Sequence, residues 1–230
     1  MRRQLHILKV VAIAGIVVGG LGACGSMPAK TFEDDSALQG AITSVRLDNS
    51  SGGVELRGKE GADEVSMHRK VEYRGDRPHG ATHKVENGVL VLGGCGRHCS
   101  VSYSIDLPAG LPVSGETSTG AISLSHVGEV SVSTGSGRIV LDEVTGSVDV
   151  RTTNGRIGGR GLAGGRIRAE TSNGAIELTP TTSQDIQAKT SNGHITLTVP
   201  AGRYQGPRRR TEGTKASPRP TTRRATTGST

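Results

Sequence analysis

Five similar segments between residues 117 and 199 constrain this chain more than any other feature. Each is a short stretch of small or β-branched residues, then a turn that contains glycine, then a strand of the form Ile-x-Leu or a variant of it. The segments read TSTGAISL, VSTGSGRIVL, TTNGRIGG, TSNGAIEL and TSNGHITL. The last glycines of the turns are 17, 18, 19 and 19 residues apart, at Gly120, Gly137, Gly155, Gly174 and Gly193. A near-constant period of this length is typical of a solenoid.

The alternation inside each segment predicts which side chains face inward. Before the turn, one inward position holds Val113, Val130, Val148, Ile167 and Ile186, and the next holds Gly115, Val132, Val150, Ala169 and Ala188. After the turn, an isoleucine and the residue two positions later face inward, as in Ile122 with Leu124 and Ile176 with Leu178. Each repeat is therefore two short strands and two corners. The sequence predicts an all-β, single-domain β-solenoid.

The corner residues have a structural explanation. Asn-Gly at three of the turns is expected because both residues tolerate positive φ, and stacked Asn and Thr side chains are expected to form hydrogen-bonded ladders between repeats. The outward positions before the turn predict an exposed charge ladder rather than a site. They are occupied by Glu116, Ser133, Arg151, Glu170 and Lys189.

Composition and charge exclude some functions. The chain has 35 Gly, one Phe, three Tyr and no Trp, so its core must be thin and aliphatic. The net charge of +7 is uneven, because residues 201–230 hold eight Lys or Arg against one Glu, whereas residues 24–200 hold 17 basic and 20 acidic residues. The predicted folded part is thus slightly acidic, and we expect no nucleic-acid partner.

The first 23 residues predict an export signal. Arg2 and Arg3 precede an apolar stretch from Val10 to Leu21, and small residues precede Cys24. Because Leu21-Gly22-Ala23-Cys24 resembles a bacterial lipobox, we expect lipid attachment at Cys24, which would anchor the protein on the outer face of the cytoplasmic membrane. The alternative is an ordinary signal peptide with an incidental cysteine. Residues 24–40 lack periodicity and predict a flexible tether.

Cys95 and Cys99 are the other two cysteines, and their spacing in an exported protein predicts a local disulfide. The alternative is a metal site of Cys95, His98 and Cys99. A structural zinc site needs four ligands, and no second cluster of His or Cys lies nearby in the sequence. We therefore predict no metal and no cofactor.

The repeats are flanked by less regular sequence. Residues 41–205 form the predicted β domain, whose first half, with a strand from Val65 to Tyr73 and an Asn87-Gly88 hairpin, is expected to cap one end of the stack. Residues 206–230 are basic and rich in Thr and Pro, and they predict a disordered tail. A reading-frame shift and an evolved polybasic tail explain this composition equally well. We expect an open last repeat that favours self-association.

The serial Thr-x-Asn-Gly-x-Ile units resemble the bacterial adhesin-type β-strand-repeat family known as domain of unknown function 4097, which is common in actinobacterial lipoproteins. The resemblance also rests on Ile105-Asp106-Leu107-Pro108-Ala109-Gly110, on its echo Leu197-Thr198-Val199-Pro200-Ala201-Gly202, and on the cysteine pair, and it covers about residues 41–205. It implies a β-solenoid on the cell surface with no established catalytic residues.

The sequence therefore favours a non-catalytic cell-surface module that binds an unknown protein or glycan, or that serves as a structural element. The alternative is a carbohydrate-active β-helix enzyme acting on cell-wall or extracellular glycans. Such an enzyme needs clustered carboxylates or basic groups on one face, and the aligned strand positions give no row of acids.

Overall fold

The computed structural model describes residues 28–200 and the four-residue strand 223–226. Within these residues the chain is all-β, as predicted, and its strands lie in two sheets that are mostly parallel. Nowhere in this part of the chain is there a helix long and apolar enough to cross a membrane. The predicted export signal, Cys24 and most of the predicted tail lie outside the described residues.

The five repeats form ten strands that alternate between the two sheets. The strands are β8 (Val113–Thr119), β9 (Ile122–Ser125), β10 (Val130–Ser136), β11 (Ile139–Asp142), β12 (Val148–Asn154), β13 (Ile157–Leu162), β14 (Arg166–Asn173), β15 (Ile176–Pro180), β16 (Asp185–Asn192) and β17 (His194–Leu197). We call one strand from each sheet, with the corner between them, a unit. Each strand pairs in parallel with the equivalent strand of the next unit, so Val130 lies opposite Val148 and Ile139 opposite Ile157. The predicted register of the repeats is confirmed.

The predicted inward positions form the core. Val113, Ile122, Ile139 and Ile157 are almost completely buried, and so are their equivalents as far as Leu178. In the last unit, Ile186, Ala188 and Leu197 are only partly buried and pack against the edge of this core. The last unit is therefore less completely packed than the units before it.

Seven further strands precede the repeats. They are β1 (Lys30–Leu38), β2 (Ser44–Ser51), β3 (Val54–Lys59), β4 (Val65–Tyr73), β5 (His83–Glu86), β6 (Val89–Gly93) and β7 (Cys99–Pro108). Of these, β2 and β3 form a sixth unit in register with the repeats, because Val45 pairs with Val113 and Val54 with Ile122. The sequence predicted that this segment belongs to an irregular cap at one end of the stack. In the structure β2 and β3 lie inside the stack.

Chain order and spatial order differ at this end. On their other side, β2 pairs with β6 and β3 pairs with β7, both in parallel. Residues 44–59 are therefore held between the strands of residues 89–108 and the first repeat. The ten-stranded sheet runs β1-β4-β7-β3-β9-β11-β13-β15-β17-β18 and the eight-stranded sheet runs β16-β14-β12-β10-β8-β2-β6-β5, with β18 (Arg223–Thr226) as the last strand in chain order.

Three antiparallel strands end the stack on the N-terminal side. β5 pairs with β6, β4 pairs with β7, and β1 pairs with β4 along its full length. The flexible tether predicted for residues 24–40 is therefore wrong over Lys30–Leu38. Pairing with β4 provides the backbone hydrogen bonds, and alternate residues of β1 from Phe32 to Leu38 are half-buried.

A network of polar side chains links these end strands to one another. The Arg69 guanidinium binds the Asp34 carboxylate of β1 and donates from Nη1 to Thr82 Oγ1 at 2.9 Å. The hydroxyl of Tyr103, itself buried, lies 2.6 Å from the carbonyl oxygen of Thr82 and 2.7 Å from that of Gly93. Burial raises the pKa of Tyr103 to about 12, so its hydroxyl stays protonated and donates.

The turn glycines are required by stacking. A Cβ on Gly120, Gly137, Gly155, Gly174 or Gly193 would overlap the carbonyl oxygen of the equivalent glycine in the preceding unit, which for Gly120 is Gly52. Gly155 is the clearest case, because its φ lies outside the left-handed region and only the close approach excludes a side chain. The positive φ expected for the turn asparagines is absent at Asn154, Asn173 and Asn192.

The asparagines instead bond to one another. Asn173 Nδ2 donates to Asn154 Oδ1 at 2.9 Å, and Asn192 Nδ2 donates to Asn173 Oδ1 at 2.9 Å, which is the predicted ladder. The threonines also bond between units, but to the backbone rather than to one another. Each buried threonine hydroxyl from the second repeat onward donates to the turn-glycine carbonyl of the preceding unit, as Thr152 does to Gly137 at 3.1 Å.

The C-terminal end is less open than predicted. β18 pairs antiparallel with β17, placing Arg224 opposite Thr196. The predicted open last repeat is therefore wrong for the strand edge at Ile195 and Leu197, and the prediction of a tail that is disordered throughout is wrong over Arg223–Thr226. Within the described residues, β16 is the last strand of the eight-stranded sheet.

Candidate functional site

A groove of about 560 Å³ runs along the outer face of the eight-stranded sheet, across all five repeats. Two rows of residues line it, and each of the five repeats contributes one residue to each row. The strand row is Glu116, Ser133, Arg151, Glu170 and Lys189. The corner row is Ser118, Gly135, Thr153, Ser172 and Ser191. Neighbouring units are about 4.8 Å apart, so the groove offers the same polar positions at regular steps.

The buried threonines position the corner row. Thr134, Thr152, Thr171 and Thr190 point inward between the two rows, and their hydroxyls bind the glycine carbonyls described above. The residue that follows each threonine consequently points outward at the corner, where it is exposed. Small residues at these positions keep the groove open.

Charges in the groove are partly paired. Arg151 Nε lies 3.5 Å from Glu170 Oε2, and its Nη2 lies 3.0 Å from Asp149 Oδ2. The hydrogen bond from Arg168 lowers the pKa of Glu170, so this carboxylate stays ionised in mildly acidic solution. Among residues 28–200, Glu116 and Lys189 form no ion pair. The groove thus has an acidic end and a basic end.

A second depression of about 370 Å³ lies on the ten-stranded sheet, where β1, β4, β7 and β3 meet. Asp35, His68 and Ser104 are neighbours across three strands there, in the order of a catalytic triad. His68 Nδ1 is 2.8 Å from Asp35 Oδ1, but its Nε2 faces Glu33 Oε2 at 3.9 Å. No hydrogen bond joins His68 to Ser104 in the described structure, and the imidazole nitrogen that would activate a serine faces a carboxylate instead.

The predicted site residues are distributed as follows. The structure joins Cys95 and Cys99 by a disulfide, with the Cα atoms 5.7 Å apart, at the corner between β6 and β7. His98 lies at the tip of this corner with a φ of 58°. The sulfur atoms of a disulfide are not thiolates, which are the form of cysteine that binds metals. Residues 28–200 contain no group of three or more His, Cys, Asp or Glu side chains that could hold a metal ion.

The sequence predicted that the strand row is exposed and charged, but it did not predict the groove. The corner row has no signature of its own, because small polar residues at a corner are ordinary turn residues. A signal that could have found it is the position directly after each buried threonine, which is small in all five repeats.

Comparisons with known proteins identify no family. No family model matches the chain, and no curated protein matches it. Among solved structures, a "putative cell adhesion protein" from Clostridium sporogenes ATCC 15579 is similar with a TM-score of 0.41 and 13% sequence identity, covering 74% of this chain and 100% of that one. At this TM-score the similarity supports no inference about function.

Proposed function

We propose that the chain is a non-catalytic β-solenoid of the cell surface that binds an extended glycan along the groove of the eight-stranded sheet. The observation that carries this proposal is the repetition of the strand row and the corner row once per unit. A polymer lying along the groove could make a polar contact at each successive unit, and weak contacts at several units add up to useful affinity.

The solenoid architecture is part of the proposal. Its support is that consecutive strands alternate between the two sheets and that equivalent residues of successive units are paired, with a period of 17 to 19 residues. Membership of the adhesin-type family described above also belongs to the proposal, and it rests on the motifs in the sequence.

The chemistry of the groove favours a glycan among extended polymers. Its lining consists of hydroxyls, carboxylates, one guanidinium and one ammonium, and none of the described residues that line it is aromatic. Sugar hydroxyls can donate to the carboxylates and accept from Arg151, Lys189 and the serines. Glu116 and Glu170 disfavour a nucleic-acid backbone, which requires a basic surface.

The cell-surface location in this proposal is supported by the N-terminal sequence. The basic start, the apolar stretch and Leu21-Gly22-Ala23-Cys24 support export and acylation at Cys24. The Cys24→Ser variant should no longer carry a lipid at residue 24, and mass spectrometry of the membrane and medium fractions checks this. An unchanged mass and location would refute the anchor.

Binding is tested with matched variants of one unit. Ser172→Arg places a long side chain in the groove, whereas Thr179→Arg makes a similar change at an exposed position of the same unit on the ten-stranded sheet. We expect the native protein to retain soluble cell-envelope polysaccharide, Ser172→Arg to lose most of this binding, and Thr179→Arg to keep it.

Equal binding by the two variants would refute the groove as the binding site. Retained polysaccharide should be recovered at unchanged chain length. New reducing ends that depend on the native protein would instead support the carbohydrate-active enzyme.

A further inference from the structure

Four exposed basic residues gather at the disulfide end of the molecule. Lys30 begins β1, Arg74 and Arg77 follow β4, and Arg97 lies in the disulfide corner. We call these four residues the basic end patch.

Backbone contacts hold the segments of the patch together. Lys30, Tyr73 and Cys99 are neighbours across β1, β4 and β7. The Lys30 ammonium donates to the carbonyl oxygen of Gly75 at 3.2 Å, and the Arg74 N–H donates to that of His98 at 3.0 Å.

An aromatic contact holds one further member in place. The guanidinium of Arg77 lies 4.0 Å from the centre of the Phe32 ring of β1. The contacts of Lys30 and Arg77 hold these two cations in place, and the backbone hydrogen bond of Arg74 and the disulfide beside Arg97 hold the segments that carry the other two.

Charge is segregated in this part of the protein. Residues 28–31, 74–79 and 95–99 contain four of the 17 Lys and Arg of residues 28–200 but one of the 20 Asp and Glu. The remainder of the described chain is acidic. A partner attracted to the basic end patch must be anionic, and the remainder of residues 28–200, which is acidic, would repel that partner.

The patch also lies close to the predicted lipid. β1 begins at Lys30, six residues after Cys24. Six fully extended residues span at most about 20 Å, so an acylated Cys24 would hold the start of β1 within that distance of the bilayer. Because β1 occupies most of the segment predicted as a tether, the disulfide end cannot move far from the membrane.

We propose that the basic end patch docks on anionic phospholipid headgroups of the membrane that carries the anchor. This inference rests on the lipid anchor of the proposed function. Lys and Arg side chains near an anionic bilayer each strengthen association by about fivefold. Docking of this end would point the units away from the bilayer and place the groove along the outward direction.

The test uses protein that cannot be acylated, so that the patch alone is measured. The chain from residue 24 onward, with Cys24→Ser, contains every described residue. It is mixed with vesicles of phosphatidylcholine, or of phosphatidylcholine with phosphatidylglycerol, and bound protein is measured by flotation. We expect binding only to the anionic vesicles and loss of binding at high salt.

Charge reversal locates the contact. Arg74→Glu with Arg97→Glu should weaken binding by about tenfold or more. Arg138→Glu with Arg156→Glu is the matched control, because it reverses two exposed arginines on later units, and it should change binding much less. Unchanged thermal unfolding of both double variants would show that folding is intact.

Two results would overturn the proposal. The first is equal weakening of vesicle binding by the two double variants. The second is vesicle binding that survives Arg74→Glu with Arg97→Glu but is lost in the triple variant Arg208→Gln, Arg209→Gln, Arg210→Gln. The second result would assign lipid binding to the basic C-terminal segment. The anchor itself is tested separately by the mass of the chain at residue 24, so the two ideas can fail independently.

Discussion

The two ends of the chain's β structure are held by different kinds of interaction. From Val113 to Leu197, equivalent residues pair unit by unit, and the same glycine contact, threonine hydrogen bond and buried isoleucine recur. From Lys30 to Pro108, the strands are partly antiparallel and depend on interactions that occur once, such as the Arg69–Asp34 pair and the disulfide.

This difference shows what repetition can and cannot supply. A repeated unit provides its neighbour with backbone partners and an apolar face, but it leaves both unsatisfied at the end of the stack. The N-terminal strands solve that problem with antiparallel edges and specific side chains. The following experiments break or sharpen this comparison, from the largest expected effect to the smallest.

Breaking the core of the repeats should have the largest effect. Ile139 is completely buried, whereas the next residue, Val140, is 39% exposed. Ile139→Asp should cost more than about 4 kcal/mol of unfolding free energy, since it buries a charge without a partner. Val140→Asp should stay within about 0.5 kcal/mol of the native protein. Similar urea midpoints for the two variants would contradict the register.

The glycine contact is tested inside one unit. Gly155→Ala should destabilise the protein by about 3 kcal/mol, because the methyl group overlaps the Gly137 carbonyl and forces the units apart. Gly158→Ala is the control, since a Cβ there meets nothing within 4 Å. Thermal unfolding measures both, and a neutral Gly155→Ala would show that units can separate without cost.

At the N-terminal end of the stack, the disulfide should contribute less to the unfolding free energy than the glycine contact does. Closing a loop of five residues is worth about 2 kcal/mol in the chain-entropy model. Cys95→Ser with Cys99→Ser should lower the unfolding free energy by this amount and increase hydrogen exchange in β6 and β7 more than in β12. An equal increase of hydrogen exchange in β6, β7 and β12 would mean that the two regions unfold together.

The smallest effect is a pH dependence confined to the N-terminal end. Burial, and then the charge of Arg69, lower the pKa of His83 from its ordinary value of 6.5. Between the lowered pKa and 6.5 the unfolded chain binds more protons, so stability is full above pH 6.5 and decreases as the pH falls. His83→Gln should remove this dependence. Identical pH profiles of unfolding for the variant and the native protein would refute the assignment.

The sequence was sufficient where one pattern recurred. The positions of Val130, Val148 and Ile167 follow from the period alone, and the strand from Val65 to Tyr73 follows from its β-branched residues and boundaries. β1 was missed because Glu33, Asp34 and Asp35 are poor strand formers, and its strand depends on β4 and Arg69, which only the fold brings near.

The sixth unit was missed for a different reason. It is separated from the first repeat by the residues of four inserted strands, and Asn49 replaces the buried threonine. Asn49 Nδ2 bonds to the carbonyl oxygens of Gly52 and Val101. The Gly52-Gly53-Val54-Glu55-Leu56 segment does carry the corner pattern. The groove on the five repeats could not be predicted from the sequence, because a groove depends on how the corners of several units align.

The position of β2 and β3 between later parts of the chain also sets an order of events during synthesis. Residues 44–59 are made early, yet the strands on either side of them end at Pro108 and Ser125. Until β7 has been made, at residue 108, both edges of β3 lack a partner, and until β9 has been made, at residue 125, one edge still does. Another β-strand could pair with such an edge. The interval is longest for β3, whose second neighbour, β9, is made last. The edges of this segment are therefore exposed to wrong strand pairing until the first repeat, residues 113–125, has been made.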